Sequence, residues 1–149
     1  MHEAPSGRHW IVEFYGAAGL ADARLLRAAL RRAVESAGAT LIGLKFHRFG
    51  RSGGITGVAL LAESHISIHS WPEFDYAALD IFMCGHRSRP EKALAALRES
   101  LKPRKVRIRR LCRGLAATSA GIQIRAPLLE TPGSPHRGRS RQSSARTRR

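Results

Sequence analysis

Two periods organise the apolar residues of this chain. Segment 9–15, HWIVEFY, is β-branched and aromatic and predicts a strand. In segment 21–39, Leu26, Leu30, Ala33, Val34 and Ala37 recur at steps of three and four, while Arg24, Arg27, Arg31 and Arg32 fall largely elsewhere. That spacing predicts an amphipathic helix with Asp22 as N-cap and Gly38 as C-cap. Segment 40–49 sets Ile42, Leu44 and Phe46 against Lys45 and His47, a strand, and GRSGG (50–54) reads as a turn. ITGVALLAE (55–63) is a mostly apolar strand. HISIHSW (65–71) alternates strictly, with His65, Ser67 and His69 on one face and Ile66 and Ile68 on the other. YAALDIFMC (76–84) sets Ala78, Asp80, Phe82 and Cys84 against Leu79, Ile81 and Met83. RPEKALAALRESL (89–101) predicts a second helix, with Pro90 suited to its first turn. KVRIRRL (105–111) reads as a basic edge strand, and GIQI (121–124) as a last short one.

The predicted order is βα-ββββ-αβ. It implies an α+β, two-layer sandwich: a largely antiparallel sheet covered on one face by two helices. The second sheet face needs cover as well, and a second subunit is one way to supply it. One domain, residues 1–130, is expected. The Pro-, Gly-, Ser- and Arg-rich segment 131–149 reads as a disordered tail.

Composition adjusts this picture in two places. The chain has 149 residues, 43% of them apolar, enough for a real core. It has no apolar run of about 18 residues and no secretory pattern at its start, so a cytoplasmic protein without a membrane span is expected. The net charge of +15 is concentrated in two blocks. Residues 102–113 carry seven Lys and Arg, and residues 131–149 carry six Arg, neither with an acid. The rest is nearly balanced, with 13 basic and 11 acidic residues. Basic blocks suit a polyanion, and a non-catalytic nucleic-acid-binding module is one reading; a solvated Arg-rich strand and tail is the plainer one. Cys84 and Cys112 match no zinc-ligand spacing, and reduced thiols are expected.

The chemistry concentrates in LAESHISIHSWPEFDYAALDIFMCG, residues 61–85. A Ser at a strained strand end can attack the carbonyl of the preceding residue, turning amide into ester. This needs a donor for the oxyanion and then a base to take the Ser Cα proton, so that β-elimination opens the chain. In Glu63-Ser64 the nucleophile is present, and His69 would be the base if the chain folds back sharply at Ser64. Hydrolysis of the resulting dehydroalanine leaves a pyruvoyl group, whose carbonyl forms a Schiff base with an amine and accepts electrons from a departing carboxylate. Cys84 is a suitable donor of the proton that the substrate carbon then needs. The same residues also read blandly: Ser64 as a turn residue, His65 and His69 as a solvated strand face, Cys84 as a small core side chain. A metal site from His65, His69 and Cys84 is disfavoured. The two His lie about 13 Å apart at strand rise, too far for ligands of one zinc.

AESHISIHSWPE (62–73) with YAALDIFMCG (76–85) closely resembles the signature of prokaryotic S-adenosylmethionine decarboxylases, and GRHWIVEFYG, AGAT and FHRF resemble that family's opening segments in order. The likeness spans about residues 7–114. It implies a pyruvoyl-dependent enzyme made by cleavage between Glu63 and Ser64, giving a β chain of residues 1–63 and an α chain from residue 64. It implies Ser64 as source of the pyruvoyl group, His69 as proton acceptor in processing and Cys84 as proton donor in decarboxylation. Thr56 would assist processing, Glu73 would bind the ribose hydroxyls, and Phe49 would lie against the adenine. The implied substrate is S-adenosylmethionine, decarboxylated for spermidine synthesis. The same superfamily admits arginine or ornithine as alternatives. The likeness also implies a homodimer of αβ units packed sheet face to sheet face, with substrate near the interface. The loop FGRSGGITG lacks the Pro common in the family. Ser70 and Met83 stand where the family usually has Thr, and both are expected beside the substrate site.

Overall fold

The computed structural model describes residues 6–115 and 128–130. The elements follow as β1 (Ser6–Tyr15), α1 (Ala23–Ser36), β2 (Leu41–Phe49), β3 (Gly54–Leu61), β4 (Ser64–Trp71), a 3-10 turn (Pro72–Phe74), β5 (Tyr76–Cys84), α2 (Pro90–Leu101), β6 (Lys105–Gly114) and β7 (Leu128–Glu130). The strands form one sheet in the order β2-β3-β4-β5-β1-β6-β7. Every neighbouring pair runs antiparallel. This is the expected α+β sandwich, with β1 inserted between β5 and β6.

The period-two pattern decides which residues meet the helices. Val12 and Phe14 of β1, Ile55 and Ala59 of β3, Ile66 and Ile68 of β4, Leu79 and Ile81 of β5, and Val106 and Ile108 of β6 are buried in one core with Leu26, Leu30 and Ala33 of α1 and Leu97 and Leu101 of α2. Each of the larger of these side chains contributes about 1.5–3 kcal/mol by leaving water. Asp22 caps α1, its carboxylate accepting from Arg24 N at 2.8 Å and Leu25 N at 3.2 Å. No helix among the described residues is long and apolar enough to cross a membrane.

The structure corrects four expectations. The C-cap of α1 is Ala37, and Gly38 follows it at φ 65°, a left-handed conformation glycine adopts at little cost. Ile42 does not share a face with Leu44 and Phe46, because the β2–β3 register shifts between Leu41 and Gly43 and leaves Ile42 63% exposed. Strand β6 is not wholly an edge, since Val106–Ile108 pair with β7, and β2 is the long outer strand. Ser70 and Met83 point into the helix-covered core, where both are buried. They therefore line the core, not the opposite face of the sheet. The short strand expected at 121–124 and the tail at 131–149 lie outside the described residues.

Candidate active site on the helix-free sheet face

The opposite parity of every strand points away from the helices. In register across this face, one row runs Leu60, His65, Phe82, His9, Leu111 and the next Thr56, His69, Ala78, Glu13, Arg107. Between them lies the middle row Val58, Ser67, Asp80, Ile11, Arg109. The chemistry gathers at the two ends.

One end adjoins the Glu63-Ser64 junction, where Ser64 has the parity of Met83 and His65 that of the helix-free face. Ser64 opens β4 with φ 157°, a backbone value that side-chain-bearing residues rarely hold. Its Oγ lies 3.3 Å from His65 Nδ1. The Glu63 carbonyl accepts the backbone N–H of Cys84 at 3.1 Å. Antiparallel pairing sets up this contact: Ser64 sits opposite Met83, so the next residue of β5 faces the one before β4. Cys84 is exposed. The Glu63 carboxylate accepts the N–H of Thr40 at 2.9 and 3.2 Å. Partial burial pushes this carboxyl up, but hydrogen bonding from Thr40 and the local backbone outweighs it and holds the group below its ordinary 4.5.

The other end holds Thr56, His69 and a row of aromatic rings. Thr56 Oγ1 and His69 Nδ1 are hydrogen-bonded at 3.0 Å. Phe49 meets Trp71 edge-on at 5.8 Å, Trp71 stacks on Tyr76 at 5.4 Å, and Tyr76 leans on Tyr15 at 5.3 Å. Glu73 lies just beyond, exposed in the 3-10 turn that follows Trp71. Tyr15 donates to Glu13 at 2.7 Å, and this bond with partial burial raises the phenol above 10.0. Burial, then the Glu13 charge, raises Tyr76 in the same direction.

The structure thus brings together Glu63, Ser64 and Cys84, and separately Phe49, Thr56 and His69 about Trp71, with Glu73 exposed in the turn that follows. It does not bring His69 to Ser64 within one chain. Strand β4 runs unbroken from Ser64 to Trp71, so the two lie about 16 Å apart at strand rise. The fold-back expected for His69 is absent. A cavity of about 740 Å³ is lined by residues such as Asp22, Arg24, Arg48 and Asp75 and holds none of these side chains. The candidate chemistry lies on an open face instead. Trp71 was not singled out in the sequence, although its parity with His69 in HISIHSW puts it on this face. The Cys84 N–H as a carbonyl donor had no local signal at all.

Fold and face together define the class: a two-layer α+β enzyme scaffold with a strained Glu-Ser junction beside a thiol. A model described as S-adenosylmethionine decarboxylase matches residues 8–114. The S-adenosylmethionine decarboxylase proenzyme of Parasynechococcus marenigrum is 45% identical over 129 residues, covering 85% of this chain and 98% of that protein. That of Thermomicrobium roseum is 40% identical over 109 residues, covering 73% and 94%. The crystal structure of the adenosylmethionine decarboxylase from Aquifex aeolicus superposes with a TM-score of 0.64 at 34% identity, covering 72% of this chain and 90% of that one. The chain belongs to the S-adenosylmethionine decarboxylase family.

Proposed function

We propose that this protein cuts its own chain between Glu63 and Ser64 and then decarboxylates S-adenosylmethionine. The observation that carries the reading is the hydrogen bond from Cys84 N–H to the Glu63 carbonyl, 3.1 Å long. It is a donor already aimed at the oxygen that gains negative charge when Ser64 Oγ attacks. The Ser64 φ of 157° adds strain to the same bond. In the shift, the Oγ–carbon bond forms, the carbon–nitrogen bond breaks, and the Ser hydroxyl proton passes to the freed amine. A base then takes the Ser64 Cα proton, the Cβ–Oγ bond breaks, and the main-chain carboxylate of Glu63 leaves as the new C-terminus. Water converts the remaining dehydroalanine, with loss of ammonia, to the pyruvoyl group.

His69 suits the base role in one tautomer. With Nδ1–H donated to Thr56 Oγ1, the Nε2 lone pair is free to accept a proton. Thr56 is then the residue that sets this tautomer. The pyruvoyl group, once formed, supplies the electron sink for loss of CO2 from an amino acid. Cys84 Sγ holds the proton that the substrate carbon takes afterwards. Phe49 and Trp71 offer faces to adenine and to the sulfonium cation, and the Glu73 carboxylate suits two ribose hydroxyls.

The 16 Å gap is closed by a second copy. A two-fold axis along the middle row, through Ser67 and Asp80, lays one helix-free face on another with strands reversed. The Ser64 and Cys84 end of one protomer then meets the Thr56 and His69 end of its partner, and both bare faces are covered. Each site takes its nucleophile from one chain and its base from the other.

The test is a mixing experiment read by intact mass. Ser64→Ala and His69→Ala chains each stay whole when produced alone. Produced together, the His69→Ala chain is cut, because its Ser64 faces the His69 of a Ser64→Ala partner. A wild-type chain that stays uncut would refute self-cleavage. Cleavage of His69→Ala alone would refute the shared site. CO2 release from S-adenosylmethionine, arginine and ornithine side by side then decides the substrate.

A further inference from the structure

We propose that Arg113 binds the α-carboxylate of the amino-acid substrate beside Cys84, an assignment that rests on the decarboxylase reading above. Cys84, Gly7 and Arg113 form one row across β5, β1 and β6 on the helix-free face, because Gly7 is registered with Cys84 on one side and with Arg113 on the other. Gly7 has no side chain to fill the space between them. A Cβ there would lie 2.7 Å from Phe82 Cε2 and 3.1 Å from Cys84 Sγ. Arg113 crosses this gap and lays its guanidinium over the Phe82 ring, 4.5 Å from the centroid. Phe82 in turn meets His65 edge-on at 5.9 Å, and His65 touches Ser64. The guanidinium therefore reaches from β6 toward the residue whose carbonyl would hold the substrate amine.

Its charge has no acidic partner among the described residues. Its neighbours on β1 have acidic partners: Arg8 lies 3.8 Å from Glu91, and His9 Nε2 2.9 Å from Asp80. Among the described residues, Arg113 forms no ion pair. A guanidinium fork is matched to a carboxylate, with two parallel hydrogen bonds, and stacking on a ring holds its plane still. An α-amino acid whose amine is held at residue 64 carries its carboxylate on the adjoining carbon, within one side chain of Cys84. Loss of CO2 needs the breaking bond held at a set angle to the electron sink, and a fixed fork supplies that orientation. The ligand class is an α-amino acid carboxylate; the decarboxylated product lacks the group.

That difference is the basis of the test. Arg113→Gln and Arg113→Lys are purified as cleaved protein, with scission checked by intact mass and dimerisation by sedimentation. KM for S-adenosylmethionine and Ki for its decarboxylated product are measured for each. Arg113→Gln should raise KM about 10- to 100-fold, the loss typical of a charge-assisted hydrogen-bond pair, with product Ki within twofold of wild type. Arg113→Lys should recover part of the loss. Unchanged KM, a parallel rise in Ki, or a lost dimer would each overturn the assignment. In all three cases the wild type is cleaved and active, so the decarboxylase reading stands. A wild type that never cleaves would overturn that reading and this assignment together.

Discussion

Replacing Ser70 with Ala should weaken the support of the candidate site from behind. Ser70 is fully buried on the helix side of β4. Its Oγ accepts the Ile55 N–H at 3.0 Å and donates to the Leu20 carbonyl at 2.8 Å. Registered pairing between β3 and β4 ends at Thr56 and His69, so the hydroxyl takes over one residue beyond the last backbone pair. Alanine leaves a buried N–H and a buried carbonyl without these partners. Each such loss costs about 1–3 kcal/mol, and partial relaxation brings the sum to roughly 2–4 kcal/mol. At about 4 °C per kcal/mol for a chain of this size, Tm should fall by roughly 8–16 °C. Urea unfolding should show a lower midpoint with an unchanged slope, because the surface exposed on unfolding is the same. Scission should slow as well, since the loosened stretch adjoins the Thr56–His69 bond. Ser100→Ala, which removes only a hydroxyl bonded to the preceding helical turn at Ala96, is the control and should stay within about 0.5 kcal/mol. A Ser70→Ala loss below about 0.5 kcal/mol would refute the assignment of Ser70 as the fastening of this strand pair.

Three further outcomes follow from the same geometry. Cys84→Ala should still cleave, because its backbone N–H and not its thiol bonds the Glu63 carbonyl, while decarboxylation falls about 10²–10⁴-fold; intact mass and CO2 release measure the two separately. Gly7→Ala should cost about 1–3 kcal/mol, since its Cβ would meet Phe82 Cε2 at 2.7 Å, and should lower decarboxylation more than scission; thermal melts with both rates check this. The Glu63 carboxyl sits below its ordinary 4.5 in the folded chain, so its stabilisation is present above that value and lost as pH falls through the folded pKa. In an uncut Ser64→Ala background, Glu63→Gln should therefore flatten the loss of stability between about pH 5 and 3, measured by urea unfolding at each pH.

Much of this protein is decided locally. Side chains on a strand alternate faces whatever the strand pairs with, so HISIHSW alone puts His65, Ser67, His69 and Trp71 on one side and Ile66, Ile68 and Ser70 on the other. The same rule, applied to YAALDIFMC, separates Cys84 from Met83 and already places Met83 with the core. Steps of three and four bury Leu26, Leu30 and Ala33 in α1, and Asp22 caps that helix through its own next residues. What the sequence leaves undecided is register and continuity, which depend on partners far along the chain. The unbroken run of β4 puts Ser64 and His69 about 16 Å apart and on opposite strand parities although only five residues separate them. The pairing of β5 with β4 brings the Cys84 N–H to the Glu63 carbonyl, and the insertion of β1 between β5 and β6 sets Gly7 and Arg113 beside the same thiol. Hydrogen bonds between distant strands fix these neighbours, and no short stretch of sequence contains both partners of such a bond.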